Sequence, residues 1–118
     1  MKPNKNWIED WRYGVDPRLE RRVSEDLLEI YKDFWVWADL DAKSKTTQQR
    51  YSAALHALGG YIVEKAGNQG RVPDTSQEFL REHIDFGDGP LIHHDNEAWQ
   101  SELDAVCRKL YKYIQAQC

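Results

Sequence analysis

The chain has 118 residues, of which 31% are charged and 41% are apolar, and its formal net charge is −4. This balance is typical of one folded domain spanning residues 1–118 and excludes an intrinsically disordered chain. The acidic charge argues against a dedicated nucleic-acid binder, because such binding depends on clustered lysine and arginine.

Residues 1–15 form an aromatic arm that precedes the first long helix. Trp7, Ile8 and Trp11 are spaced so that one short helical turn presents them together. We expect the arm to pack on its own bundle, because an exposed aromatic patch promotes association. The sequence leaves open a second arrangement, in which Trp7 and Trp11 bind a partner protein or a second copy in a homodimer.

A long helix over residues 17–40 is the element around which the rest is organised. Asp16 caps its start, and Pro17 takes the first position, where its missing N–H costs nothing. An apolar stripe then recurs at three- and four-residue steps, at Leu19, Val23, Leu27, Ile30, Phe34 and Trp37. The stripe widens toward its C-terminal end, so that end should lie centrally, with Trp35 and Trp37 either in the core or lining a groove.

The second helix is predicted over residues 47–66, and it begins with capping-box spacing at Thr46 and Gln49. The connection before it is short and polar, which predicts a helical hairpin. Gly59 and Gly60 lie in the middle of this helix, where each costs about 1 kcal/mol relative to alanine. Another helix crossing closely, or else a kink, is expected there.

Two further helices complete the predicted fold. A short helix over residues 75–84 follows a possible cap at Asp74, and a helix over residues 96–115 is capped by Asp95 or Asn96. The last helix carries an apolar stripe made of Trp99, Leu103, Val106, Cys107, Leu110, Tyr113 and Ile114. No strand-like alternation occurs, so the predicted fold is all-α, a compact bundle of four main helices.

Charge is distributed unevenly along the chain. Between residues 85 and 105 there is no lysine or arginine, and the acidic residues are Asp85, Asp88, Asp95, Glu97, Glu102 and Asp104. This stretch predicts an acidic loop–helix face that suits a basic partner protein. A small basic cluster at the start of the second helix could contact phosphate, and it consists of Lys43, Lys45, Thr46, Thr47 and Arg50. The simpler interpretation of both features is ordinary surface charge.

Catalytic and metal motifs are absent from the sequence. His93 and His94 could bind a metal together with Asp95, but adjacent residues rarely point at one ion, so a solvated loop is expected. The chain lacks a phosphate-binding glycine loop, a nucleophile elbow and a Cys-x-x-Cys pair. We therefore expect neither an enzyme activity nor a cofactor.

Cysteine content and hydropathy bear on the compartment. Cys107 lies on an apolar stripe and Cys118 is the other cysteine, which is no disulfide framework. The N-terminal residues are charged without an apolar run, and no stretch reaches transmembrane length. A cytoplasmic location is the expectation.

Residues 27–66, LLEIYKDFWVWADLDAKSKTTQQRYSAALHALGGYIVEKA, resemble the N-terminal, SAM-like core-binding domain of tyrosine recombinases and phage integrases. That family shows a helix, a polar turn with a threonine, and a helix with a tyrosine and spaced apolar positions, matched here by Thr46 or Thr47, Tyr51, Leu55, Leu58 and Ile62. Nothing in the chain corresponds to the recombinase catalytic domain, and no His-x-x-Arg motif occurs. The resemblance implies a four-helix domain that touches DNA around Lys43–Arg50 without chemistry.

The sequence favours a non-enzymatic interaction protein of the inhibitor, immunity or adaptor type. It would present its acidic face, Asp85–Asp104, or its aromatic arm to a protein partner. A small DNA-binding or phage-related accessory protein that uses Lys43–Arg50 is the alternative. A metal-binding protein or enzyme that uses His93 and His94 is the third hypothesis.

Overall fold

Helices make up most of the chain that the structure describes. The structure is a computed structural model and describes residues 2–70, 75–84, 89–92 and 95–117. Its elements are α1 (Asn6–Asp10), α2 (Pro17–Trp37), a 3-10 helix (Leu40–Ala42), α3 (Lys45–Gln69), α4 (Ser76–His83) and α5 (Glu97–Ala116). These ranges contain no strand, which confirms the all-α prediction. No helix in them is long and apolar enough to cross a membrane.

Side-chain caps determine where the long helices begin. The Asp16 carboxylate accepts a backbone hydrogen bond at the start of α2, as the sequence predicts. Ser44, not Thr46, caps α3, so this helix begins two residues earlier than predicted. The extended backbone of Ser44 orients its hydroxyl toward the first turn, and Thr46 lies inside that turn. Asn96 caps α5, and Thr75 caps α4.

Left-handed residues determine where α2 and α3 end. Asp39 has a φ of 54°, which ends α2 at Trp37, three residues before the predicted end. The indole Nε1 of Trp35 donates to Asp41 at 2.8 Å and holds the turn that follows. α3 runs to Gln69, past the predicted end at residue 66, because Gly70 is the residue that takes the left-handed conformation, with a φ of 74°.

α2 lies at the centre of the bundle and contacts each of the four other α-helices. It forms an antiparallel hairpin with α3, since the ring of Phe34 lies near Tyr51 at one end and the carboxylate of Glu20 lies near Gly67 at the other. The side chains of Tyr31 and Phe34 are completely buried. The prediction that the C-terminal half of this helix lies centrally is therefore confirmed.

The arm folds back onto the α2–α3 hairpin. Trp7 and Trp11 retain only 5% and 1% of their exposed surface, and both rings pack edge-on against Tyr31. The indole Nε1 of Trp11 donates to the backbone carbonyl of His56 in α3 at 3.0 Å. A Cβ atom added at Gly59 would lie 2.2 Å from Cζ2 of Trp11. The mid-helix glycines therefore accommodate an indole, which corrects the prediction of a crossing helix or a kink.

Two tryptophans that the sequence placed on apolar stripes are partly exposed. Trp37, the last residue of α2, is 42% exposed and covers Phe34, with the ammonium of Lys109 near its ring. Trp99 is 60% exposed, although the later stripe residues of α5, from Leu103 to Ile114, are buried. The stripe therefore meets the core only from Leu103 onward.

Candidate functional site

The arm does not supply the predicted partner-binding residues. Trp7 and Trp11 are buried within their own chain, so neither presents a surface to a partner protein or to a second copy. This burial argues against the prediction that named them as partner-binding residues. The interpretation that fits the structure is the other one, in which the arm packs on its own bundle and completes the core.

Among the residues that the structure describes, the most exposed aromatic side chain is that of Trp99, which lies beside a depression between α3 and α5. A cavity of about 300 Å³ is present there, and its lining residues, which we call the Trp99 groove, are Arg50, Ala53, Ala54, Trp99 and Glu102. The two alanines make a floor of small side chains, and Ala53 is exposed. Arg50 and Glu102 join the two helices through an ion pair of 3.4 Å. The sequence missed this site because helical periodicity placed Trp99 in the core.

The groove has an acidic neighbour at the start of α5. Asp95 and Glu97 are exposed and belong to the cap and first turn of the helix. The predicted acidic face is smaller than the sequence indicated, because Glu102 is paired with Arg50. Asp85 and Asp88 lie outside the described residues. Asp95 and Glu97 are thus the part of the predicted face that remains at the surface without a structural task.

The Asp104 side chain is engaged in hydrogen bonds within its own chain. Its Oδ1 accepts a hydrogen bond from the backbone N–H of Gly89 and one from the side-chain amide of Gln100, both at 3.1 Å. Gln100 also donates to the carbonyl of Pro90 at 2.9 Å and accepts from the N–H of Ile92 at 3.1 Å. These two side chains hold residues 89–92 against α5. Asp104 is therefore removed from the candidate partner-binding residues.

A second, more open depression of about 580 Å³ adjoins the Trp99 groove across Ala53. It lies between α3 and the arm, where His56 Nε2 is 3.0 Å from the carboxylate of Asp10. Gln49 and Ser52 of α3 also line it. The two depressions share Ala53 of α3 as a lining residue.

The predicted basic cluster is divided by the fold. Lys43 and Lys45 are exposed beside the Ser44 cap of α3, and Thr46 lies in the first turn. Thr47 accepts a hydrogen bond from the Ser44 hydroxyl at 3.1 Å. Arg50 is turned toward α5, where it pairs with Glu102. Only the two lysines remain as a positive surface at this helix end.

Glu20 is a buried carboxylate that sequence reasoning did not single out. It is 2% exposed and accepts backbone hydrogen bonds of 2.7 to 3.0 Å from Tyr13, Gly14, Val15 and Asp16. Burial alone would raise its pKa, but the four N–H donors outweigh burial and lower the pKa below the ordinary value. Glu20 therefore holds the end of the arm on α2 as an anion.

No metal centre is evident among the residues that the structure describes: they contain no group of three or more His, Cys, Asp or Glu that could hold an ion. His93 and His94 lie outside those residues. Cys107 is buried in the core, as its place on the α5 stripe predicts.

Comparisons with protein-family models, with curated proteins and with solved structures find no match to the chain. The resemblance of residues 27–66 to the recombinase core-binding domain therefore stays a prediction from the sequence.

Proposed function

We propose that the chain is a non-enzymatic protein-interaction module whose binding face is the Trp99 groove together with Asp95 and Glu97. The observation that carries the proposal is the exposure of Trp99, which is 60% accessible beside a cavity. An indole in water forgoes about 1.5–3 kcal/mol that burial of a large apolar side chain supplies. Tryptophan and arginine are also the residues that most often dominate binding energy at protein interfaces.

The chemistry of the face favours a basic partner with an apolar anchor. Asp95 and Glu97 are exposed at the start of α5, the helix that carries Trp99, and Arg50 and Glu102 neutralise each other, so the face has an excess of negative charge. The alanine floor leaves room for one apolar side chain of the partner beside Trp99. A partner segment with an apolar residue flanked by lysine or arginine would bury the indole and meet the excess negative charge.

The non-enzymatic part of the proposal rests on the composition of this face. The groove contains one ion pair, two alanines and an indole, and none of these is a nucleophile paired with a base. A cytoplasmic location belongs to the same proposal, on the ground that the chain has only two cysteines, which is no disulfide framework.

Affinity capture from host lysate with three matched variants tests the proposal. Trp99→Ala removes the anchor, Asp95→Lys with Glu97→Lys reverses the acidic rim, and Trp37→Ala removes the other exposed indole as a control. We expect a stoichiometric partner that the wild type and Trp37→Ala capture and the two groove variants lose. Circular dichroism should show that all three variants keep the helical fold. Asp104 is unsuitable for charge reversal, because it holds residues 89–92.

The same capture, repeated with nuclease, separates this proposal from the DNA-binding alternative. Exposed Lys43 and Lys45 beside the capped start of α3 support that alternative. If the captured material depends on nucleic acid and is lost in Lys43→Glu with Lys45→Glu, the DNA-binding alternative would replace the protein-interaction proposal. A protein partner still captured by Trp99→Ala would also contradict it.

A further inference from the structure

A third depression, distinct from the Trp99 groove and from the depression beside His56, lies between α1 and the start of α2. It has a volume of about 560 Å³, which is within the range of about 300–1,000 Å³ typical of small-molecule sites. Its walls include the apolar side chains of Ile8, Tyr13 and Pro17. Tyr13 is 43% exposed, so its ring is accessible to a ligand in the cleft.

Three guanidinium groups border this cleft, on Arg12, Arg18 and Arg21, and we call it the arginine cleft. Arg12 pairs with Glu9 at 2.8 Å, and Arg21 lies 3.6 Å from Glu25 on the exposed side of α2. Arg18 has no ion-pair partner among the residues that the structure describes. Arg18 and Arg21 are three residues apart on one helix, so both project toward the same face.

The backbone beside the cleft already binds one anion. The N–H groups of residues 13–16 converge on one carboxylate, and the chain itself supplies that carboxylate from Glu20. The backbone donors are therefore occupied. An external anion would have to bind through the guanidinium groups, which match carboxylate and phosphate oxygens in a bidentate way.

We propose that the arginine cleft binds a small organic anion, with a carboxylate or phosphate group on Arg18 and Arg21 and an apolar body against Ile8, Tyr13 and Pro17. The two halves of the proposal follow from the cationic and the apolar parts of the wall. The two carboxylates that also line the cleft are already bound, Glu9 by Arg12 and Glu20 by the backbone N–H groups of residues 13–16. The guanidinium of Arg18, which has no ion-pair partner within the described part of the chain, supplies affinity for negative charge, and the apolar wall distinguishes an organic anion from a simple ion. This site is independent of the protein-interaction face.

Titration of the full chain by heteronuclear NMR at low salt tests this assignment. The probes are phenyl phosphate and benzoate, with phenol and inorganic phosphate as controls that each lack one half of the ligand. We expect phenyl phosphate or benzoate to shift the amide signals of Ile8, Tyr13 and Arg18. Binding should be about tenfold weaker for phenol and for inorganic phosphate, which corresponds to the loss of about 1.4 kcal/mol of contact.

A pair of variants on the same helix makes the test specific. Arg18→Gln with Arg21→Gln should weaken binding of the better organic anion about a hundredfold, since each of the two charge-assisted contacts is worth about tenfold. Arg22→Gln should leave it unchanged, because Arg22 is exposed and does not line the cleft. Equal weakening by both variants, or equal binding of inorganic phosphate, would overturn the proposal. A glutamate-rich peptide that outcompetes both small anions would replace it with a peptide site.

Discussion

Two regions of the molecule involve α3: the junction of this helix with the arm, and the Trp99 groove. A tryptophan is buried in the first region and exposed in the second. Trp11 is 1% exposed, makes a hydrogen bond to a carbonyl of α3 and lies where Gly59 removes a side chain. Trp99 is 60% exposed above a floor of alanines. Both indoles belong to segments in which the sequence shows apolar spacing, so the difference arises from what each one faces on α3.

This comparison teaches that the surroundings of an indole, and not the apolar spacing of its own segment, decide whether it is buried. At the arm, Gly59 provides space and the carbonyl of His56 accepts the indole N–H. In the groove, most of the Trp99 surface is left to solvent. The first region is therefore part of the core, and the second is the exposed face that we propose binds a partner.

The largest expected effect is the loss of stability in Trp11→Ala. Deleting a buried indole should cost about 3–5 kcal/mol, because the cavity and the lost burial add together. Trp99→Ala should change stability by less than about 0.5 kcal/mol. Urea unfolding followed by circular dichroism measures both. Similar values for the two variants would remove the distinction between core and interface.

The next effect concerns the carboxylate that holds the arm. Glu20→Gln should cost about 2–3 kcal/mol at neutral pH, because hydrogen bonds to a charged acceptor are lost. Glu20 has a lowered pKa in the folded state, so its contribution is present above the ordinary glutamate pKa of 4.5 and is lost as pH falls through the folded pKa. Wild-type stability should therefore fall more steeply than that of Glu20→Gln as the pH is lowered below 4.5.

Glu25→Gln is the matched control for this pH dependence. Glu25 lies on the same helix, is exposed and pairs only loosely with Arg21. Its stability profile should follow that of the wild type. If Glu25→Gln and Glu20→Gln flatten the profile equally, the buried carboxylate does not have the role assigned to it.

A double-mutant cycle at Gly59 tests whether contact with Trp11 is the reason that this position requires glycine. Gly59→Ala should destabilise the wild type by about 1–3 kcal/mol, because the new methyl group meets the indole. In the Trp11→Ala background the same change should be neutral or stabilising by up to about 1 kcal/mol, since alanine favours helix over glycine. Thermal unfolding of the four proteins gives the coupling. Additive effects would indicate that another contact requires the glycine.

The smallest expected effect is at Tyr31, beneath both indoles of the arm. Its hydroxyl is the only buried side-chain polar atom of the described residues that lacks a hydrogen-bond partner, and burial raises its pKa well above the ordinary value. Tyr31→Phe should leave stability unchanged or raise it by up to about 1 kcal/mol, because an unsatisfied buried group is removed. A loss of more than about 1 kcal/mol in urea unfolding would mean that the hydroxyl has a partner in solution.

The candidate site could be predicted only in part from the sequence. The acidic character of the region around Asp95 and Glu97 follows from composition, and both residues are exposed in the structure. The contacts of Glu102 and Asp104 could not be predicted from composition, because their partners are Arg50 in another helix and Gly89 in a preceding loop. Trp99 was misplaced, since periodicity identifies one face of a helix and does not tell how far along that face the core extends.

Local chemistry by itself determined the helices of this protein. The cap at Asp16, the apolar steps along α2 and the absence of strand alternation specify an all-α bundle, because each depends on residues within a few positions of one another. Tertiary structure decided what the glycines, the buried glutamate and the tryptophans do. Gly59 with Trp11, Glu20 with Gly67 and Arg50 with Glu102 are all pairs distant in sequence, and only packing of the helices brings them together.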